Sequence, residues 1–221
     1  MNKNINCIDH KYDLRLYNKL PYFLDQVLIG LCLGDLHIGK SGSVNSNTRF
    51  SLTMAGKYTN LAIYIYCLFN HFINPKGFRY SKVKSGLNSK LFSRIQLISV
   101  ALPIFNYYHN LFYNNIEGKY VKIVPLNIEN LLSDISLAFL IMSDGNYNKV
   151  KKVIRLCTNN FTKSEVELLS KAIYKKFGIV NRIEKVRKEQ YILVIKTSEV
   201  VKLQNLVKSH IHYSMLYRIG L

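Results

Sequence analysis

The sequence has no tryptophan and is poor in acids: 13 Asp and Glu stand against 31 Lys and Arg, a formal charge of +18 over 221 residues. That is too basic for a generic soluble enzyme and calls for a polyanionic partner, nucleic acid first and an anionic membrane surface second. No apolar run reaches the roughly 18 residues needed to span a bilayer. The start, Met1-Asn2-Lys3-Asn4, has neither an apolar signal segment nor the Arg/Ser-rich look of an import peptide. The four cysteines, Cys7, Cys32, Cys67 and Cys157, form no CxxC pair, which argues against zinc. Cys32 and Cys67 lie in apolar helical runs and read as buried thiols, which suits a reducing compartment. HxxxH, GxSxG and P-loop patterns are missing. His37 follows Asp35 closely, and His210 and His212 are two apart, but neither makes a histidine-centred site. Richness in Asn, Lys, Ile and Tyr fits an AT-rich coding source such as an organellar genome.

Against these absences stand two short helical stretches, Leu28-Ile29-Gly30-Leu31-Cys32-Leu33-Gly34-Asp35 and Leu137-Ala138-Phe139-Leu140-Ile141-Met142-Ser143-Asp144. Each is an apolar run with small residues inside and one carboxylate at its end, and half the chain separates them. Gly30 and Gly34 share a helical face, and a face without side chains lets another backbone come close. Each glycine costs a helix about 1 kcal/mol relative to alanine, so two of them call for compensation by packing. Phe139 aligns with Gly30, a ring that could fill the gap, and Ser143 aligns with Gly34. A carboxylate at a helix C-terminus opposes the macrodipole. Two such ends meeting would be worse, and a divalent cation with oxygen ligands would remove the conflict. The alternative is a pair of ordinary buried helices with terminal aspartates.

Both stretches resemble the motif of the LAGLIDADG homing endonucleases, and the chain is similar to the branch that carries two copies in one polypeptide. The resemblance covers nearly the whole chain. It implies an α+β fold of two pseudo-symmetric αββαββα halves, each with a curved antiparallel DNA-binding sheet, joined at a two-helix interface. It implies a metal-dependent DNA endonuclease, a phosphodiester hydrolase cutting both strands of a long asymmetric site as a monomer with Mg2+ or Mn2+. Asp35 and Asp144 match the family's catalytic metal-binding acids. Lys122 and Arg218 match its basic residues near the scissile phosphates; the alternative is a simple surface cation at each. Leu36 replaces the motif's final glycine in the first copy, whereas Gly145 keeps it, and Phe139 replaces the inner glycine in the second.

The order of elements supports a duplication. The divisions expected are an N-terminal arm at 1–20, a first half at 21–118, a connector at 119–127 and a second half at 128–221. The arm reads either as a loose tail or as a basic arm on a phosphate backbone. Pro21 suits a helix start. A turn-rich stretch, residues 39–43, precedes Arg49–Met54, which alternates with period two. Leu61, Ile65, Leu68, Phe69 and Phe72 recur at helical spacing over 58–72. Asn74–Gly77 reads as a turn, followed by strands over 78–84 and 91–98 joined through residues 85–88. Ser99 reads as the cap of a helix over 101–114 with Pro103 in its first turn, ended by Glu117-Gly118-Lys119. In the second half Ser133 reads as an N-cap, Gly145 as a helix end, and Lys151 and Arg155 as outward residues of a strand. Thr162–Glu165 forms a capping box. Strands over 182–188 and 191–196 precede a last helix from Thr197 to about Ser209.

A two-stranded ribbon fits the major groove, where each base pair shows a distinct pattern. Arg49, Arg94, Gln96, Lys151, Arg155 and Arg182 are the candidate DNA readers by alternation; for each, the alternative is a solvated charge. Other lysines would contact phosphate and support affinity. Two further readings stay open: a maturase assisting the splicing of its own intron RNA, and a DNA-binding protein on the same scaffold without catalysis.

Overall fold

The computed structural model describes residues 18–40, 42, 45–84 and 91–221. Most of the proposed N-terminal arm, Cys7, parts of the turn at 39–43 and the loop at 85–88 lie outside the described residues. The first half runs α1 (Tyr22–Leu33), β1 (His37–Lys40), β2 (Thr48–Ala55), α2 (Thr59–Phe69), β3 (Ile73–Lys84), β4 (Leu91–Ser99) and α3 (Pro103–Phe112). A hairpin, β5 (Tyr113–Ile116) and β6 (Lys119–Lys122), and a single helical turn, α4 (Ile128–Leu131), lead across. The second half runs α5 (Asp134–Asp144), β7 (Gly145–Asn148), β8 (Val153–Leu156), α6 (Lys163–Phe177), β9 (Asn181–Arg187), β10 (Gln190–Ile195) and α7 (Val200–Val207). A 3-10 segment, Tyr213–Ile219, follows. Each half is therefore αββαββα.

The two sheets have one topology. Their strand orders are β1-β2-β4-β3 and β7-β8-β10-β9, and every pairing is antiparallel. Alternation decides which face each sheet buries. Phe50, Leu52 and Met54 of β2 are buried, as are Ile95 and Leu97 of β4, while Arg49 and Thr53 are exposed. Leu52 pairs with Leu97 and Met54 with Ile95, so the apolar rows of neighbouring strands lie together under the helices. Ile154, Leu156, Leu193 and Ile195 do the same in the second sheet. This is the half-buried antiparallel pattern, one face packed and one polar.

The helices at the centre follow a different rule. From Gln26 to Leu33 every residue of α1 is buried, and so is every residue of α5 from Ile135 to Ser143. A helix apolar all round belongs inside a core, and α1 and α5 pack on each other. Their close approach needs glycine. A Cβ on Gly30 would meet the Ser136 carbonyl oxygen, and would stand 2.9 Å from Phe139 Cβ. One continuous hydrophobic core then runs from Leu20 through both motif helices to Ile219, shared by the two halves. Capping is unequal: Ser133 caps α5 and Thr162 caps α6 through reciprocal capping boxes, but Pro21 gives α1 no side-chain cap.

Several local expectations are corrected. Residues 39–40 belong to β1, and β7 pairs with β8; both strands are only four residues long. Asn74–Gly77 is not a turn but an irregularity inside β3, where the register shifts between Ile73 and Phe78. Ser99 is not a helix cap: its Oγ accepts from Phe50 N at 2.9 Å, and Leu102 precedes α3. The helix expected to reach 114 stops at Phe112, because the next residues pair as β5 with β6. Glu117 and Gly118, at φ of 50° and 81°, form the tight turn between them. Lys151 lies in the turn before β8 rather than on the strand. Cys32 is buried, but Cys67 is exposed.

The seam makes a direct prediction. Gly30→Ala should destabilise the protein by about 2 kcal/mol despite alanine's better helix propensity, because the methyl meets a backbone carbonyl that cannot step aside. Urea unfolding checks it; a variant as stable as the parent would mean that α1 and α5 are less closely packed.

Candidate functional site

The two motif helices end at the same place. α1 stops at Leu33, Gly34 turns the chain, and Asp35 emerges. α5 runs through Asp144 and is capped by Gly145. A Cβ on Gly34 would stand 2.6 Å from Ser143 Cβ and 2.7 Å from Asp144 Oδ2. The Asp35 amide donates to Ser143 Oγ at 2.9 Å, a bond from the first motif to the second. Gly34, Asp35, Ser143 and Asp144 thus meet at one seam, and Gly30 meets Phe139 deeper in it.

That arrangement is electrostatically costly. Asp144 is pushed up from the ordinary 3.8 to about 7, first by burial and then by the negative charge of Asp35. Lys122, a hydrogen bond to Ser143 and Arg218 offset part of the rise. Asp35 reaches the surface, yet the surrounding protein desolvates it and raises it also, against the pull of Lys122 and Arg218. Lys122 is lowered by its own burial, partly offset by Cys32, Asp144 and Asp35.

The two cations occupy matching places. Lys122 Nζ donates to the carbonyls of Gly34 and, at 2.8 Å, Leu36. Arg218 Nη1 donates to the carbonyl of Gly145, the residue that aligns with Leu36. Each cation sits just past the end of a motif helix, bonded to the cap residue's carbonyl (Gly34 or Gly145) and, for Lys122, to that of Leu36 beyond it, near the negative pole of the dipole. The β5–β6 hairpin delivers Lys122: it pairs with Tyr113, whose hydroxyl accepts from Ile38 N at 3.0 Å and lies 3.2 Å from His37 Nδ1. Arg218 comes from the 3-10 segment near the C-terminus.

The open face of each sheet flanks the seam. On the first, register places Thr53, Gln96 and Arg79 in one row and Ala55, Arg94 and Ser81 in the next. Arg49 pairs with Gly39, and a recess of about 180 Å³ opens among His37, Arg49, Ser51 and Gln96. On the second, Asn146, Arg155, Val194 and Arg182 form a row. Arg182 is held by Glu184 at 2.6 Å, and the Nε atoms of Arg94 and Arg155 are buried without a hydrogen-bond partner. Lys151 stands apart, exposed in its turn. Arg79, Ser81, Asn146 and Glu184 were missed as face residues. The alternation of 78–84 carries the signal for Arg79 and Ser81; β7 is too short to carry one for Asn146.

Two carboxylates are hard oxygen donors, and no cluster of three or more His, Cys, Asp or Glu side chains exists among the described residues. The seam therefore fits an ion that takes one or two carboxylates and completes its shell with water and phosphate oxygens, the habit of magnesium. It does not fit a closed structural metal site. Among the described residues no helix is long and apolar enough to cross a membrane.

Residues 25–203 match the LAGLIDADG DNA endonuclease family. A cytochrome b mRNA maturase of Saccharomyces cerevisiae is 27% identical over 225 residues, 98% of this chain and 52% of the maturase, so the chain spans about half the length of that relative. An intron-encoded endonuclease of Dictyostelium discoideum is 30% identical over 142 residues, 63% of this chain and 86% of the endonuclease. The homing endonuclease I-WcaI, solved bound to its DNA recognition sequence, shares the fold with a TM-score of 0.81 at 24% identity, over 92% of this chain and 88% of its own.

The raised Asp144 predicts a pH-dependent stability. A carboxyl whose folded pKa lies above its unfolded value stabilises the fold when protonated, and that contribution is lost as pH rises from about 4 to about 7. Asp144→Asn should therefore be more stable than the parent at pH 8, by on the order of 2 kcal/mol, with the gap closing towards pH 4. Thermal melts at both pH values test this; a variant less stable at pH 8 would place Asp144 outside the repulsive pair.

Proposed function

The chain belongs to the LAGLIDADG DNA endonuclease family, and on that premise we propose that it is a site-specific double-strand DNA endonuclease. It would hydrolyse one phosphodiester in each strand of a long asymmetric target. The observation that carries this reading is the acid pair, Asp35 with Asp144, at a seam flanked by two open sheet faces bearing basic residues. The residues at 21–118 would engage one half-site and those at 128–221 the other, with 119–127 as the connector and 1–20 as an arm. The chain would act as a monomer, since both motif copies are already present.

Asp35 and Asp144 would hold Mg2+ or Mn2+. The ion would supply Lewis acidity and lower the pKa of the attacking water. The remaining work belongs to the chain's own groups. Asp144 must be ionised to serve, and a pKa of about 7 keeps it partly protonated near neutrality until a positive charge arrives. Lys122 and Arg218, anchored on the motif ends, would offset charge on the two scissile phosphates and orient water. Arg49, Arg94, Gln96, Arg155 and Arg182 would read base edges from the sheet faces, with Lys151 reaching backbone phosphate from its turn. Arg79 joins the first group on the strength of its row with Gln96.

The second reading, an RNA maturase for its own intron, is supported by the yeast relative named as a maturase that aligns with 98% of this chain. That relative and the AT-biased composition also support an organellar home, mitochondrial before chloroplast. An inactive DNA-binding protein is disfavoured because both acids are intact.

Selection from a randomised duplex library with Mg2+ should yield a cleavable site. On that site Asp35→Asn and Asp144→Asn should each cut more than about a hundredfold more slowly. Their DNA affinity should stay within about tenfold of the parent and weaken steeply with salt. A parent that cuts no library member yet promotes intron splicing would replace the endonuclease reading with the maturase one.

A further inference from the structure

We infer that Tyr58, from the first half, positions Arg218 of the second and thereby sets how fast one of the two DNA strands is cut. The inference rests on the endonuclease reading and adds a residue to it.

The two basic positions are not held equally. Lys122 is fixed by two carbonyls, those of Gly34 and Leu36. Arg218 has one, that of Gly145, through Nη1, and its Nε is buried with no hydrogen-bond partner. Asp35 and Asp144 attract the guanidinium, and two aromatic rings contact it. Its central carbon lies 5.3 Å from the centre of the Tyr58 ring and 6.0 Å from that of Tyr217. A guanidinium over a ring face within this range is attracted by the ring quadrupole, more strongly where water is scarce. The Tyr58 ring also carries Lys57 Nζ, 4.9 Å from its centre.

The contact crosses the pseudo-twofold axis, and the axis does not repeat it. Tyr58 is the N-cap residue of α2. The matching residue before α6 is Thr162, which spends its side chain on the helix, accepting from the Glu165 amide. Among the described residues no aromatic ring lies over Lys122. Tyr58 therefore serves one basic position only, and its loss should be felt on one strand.

The test uses the full chain and a supercoiled plasmid carrying the selected site, with nicked and linear products followed over time. Tyr58→Leu should slow one strand about tenfold and let the nicked form accumulate. The strand left intact should be the one left intact by Arg218→Ala, and the opposite of that left by Lys122→Ala. Tyr58→Phe, which keeps the ring, should cut both strands within about twofold of the parent. In an Arg218→Ala background Tyr58→Leu should add no further loss. Tyr58→Met carries the test if the leucine variant fails to fold. Equal slowing of both strands, or a phenylalanine variant as impaired as the leucine one, would overturn the role of Tyr58 and leave the endonuclease reading standing. A parent that cuts neither strand of any site would remove both.

Discussion

The structure depends on how closely two buried helices approach. α1 and α5 meet backbone to backbone at Gly30, and beyond the end of α1 Gly34 leaves room for the side chains of Ser143 and Asp144. This contact unites the halves into one core. It also brings two carboxylates to the same seam, where burial raises both and the charge of Asp35 raises Asp144 further. The fold accepts this conflict and surrounds it with Lys122 and Arg218. Those cations do two things at once: they hold the chain just past each motif helix by its carbonyls, and they set positive charge beside the acids.

The pseudo-symmetry is a property of the backbone more than of the chemistry. Strand order and pairing repeat between the halves, yet the open faces differ. The first presents Thr53, Gln96 and Arg79 in register. The second carries an aliphatic cluster, Val153, Ile192 and Val194, apart from the main core, with Arg182 already engaged by Glu184. Two such faces are chemically unequal, so the proposed target would be asymmetric. The same inequality appears at the seam, where one cation is a lysine held by carbonyls and the other an arginine held against rings.

Much of this was legible in the sequence, and physics explains which parts. The motif helices showed because an apolar run with small residues and a terminal acid, present twice, is hard to produce by surface packing. β2 and β4 showed because alternation over eight or nine residues leaves no rival period. The N-cap at Ser133 and the capping box at Thr162 showed because they are local. β1 and β7 did not, since His-Ile-Gly-Lys and Gly-Asn-Tyr-Asn are too short to display a period. Nor did the β5–β6 hairpin, whose Glu-Gly turn lacks the usual Asn-Gly or Asp-Gly signal. Ser99 misled because a serine four residues ahead of Pro103 suits a helix start as well as a strand end. Tyr58 could not have been found at all: its partner lies in the other half, and no spacing connects them.

The sheets' outward residues contribute little to the core, whereas at the seam Gly30 and Gly34 leave no room for a side chain. Under the proposed reading, side chains such as Arg79, Gln96 and Arg182 could change the recognised sequence without touching the acid pair, so that address and blade would vary independently.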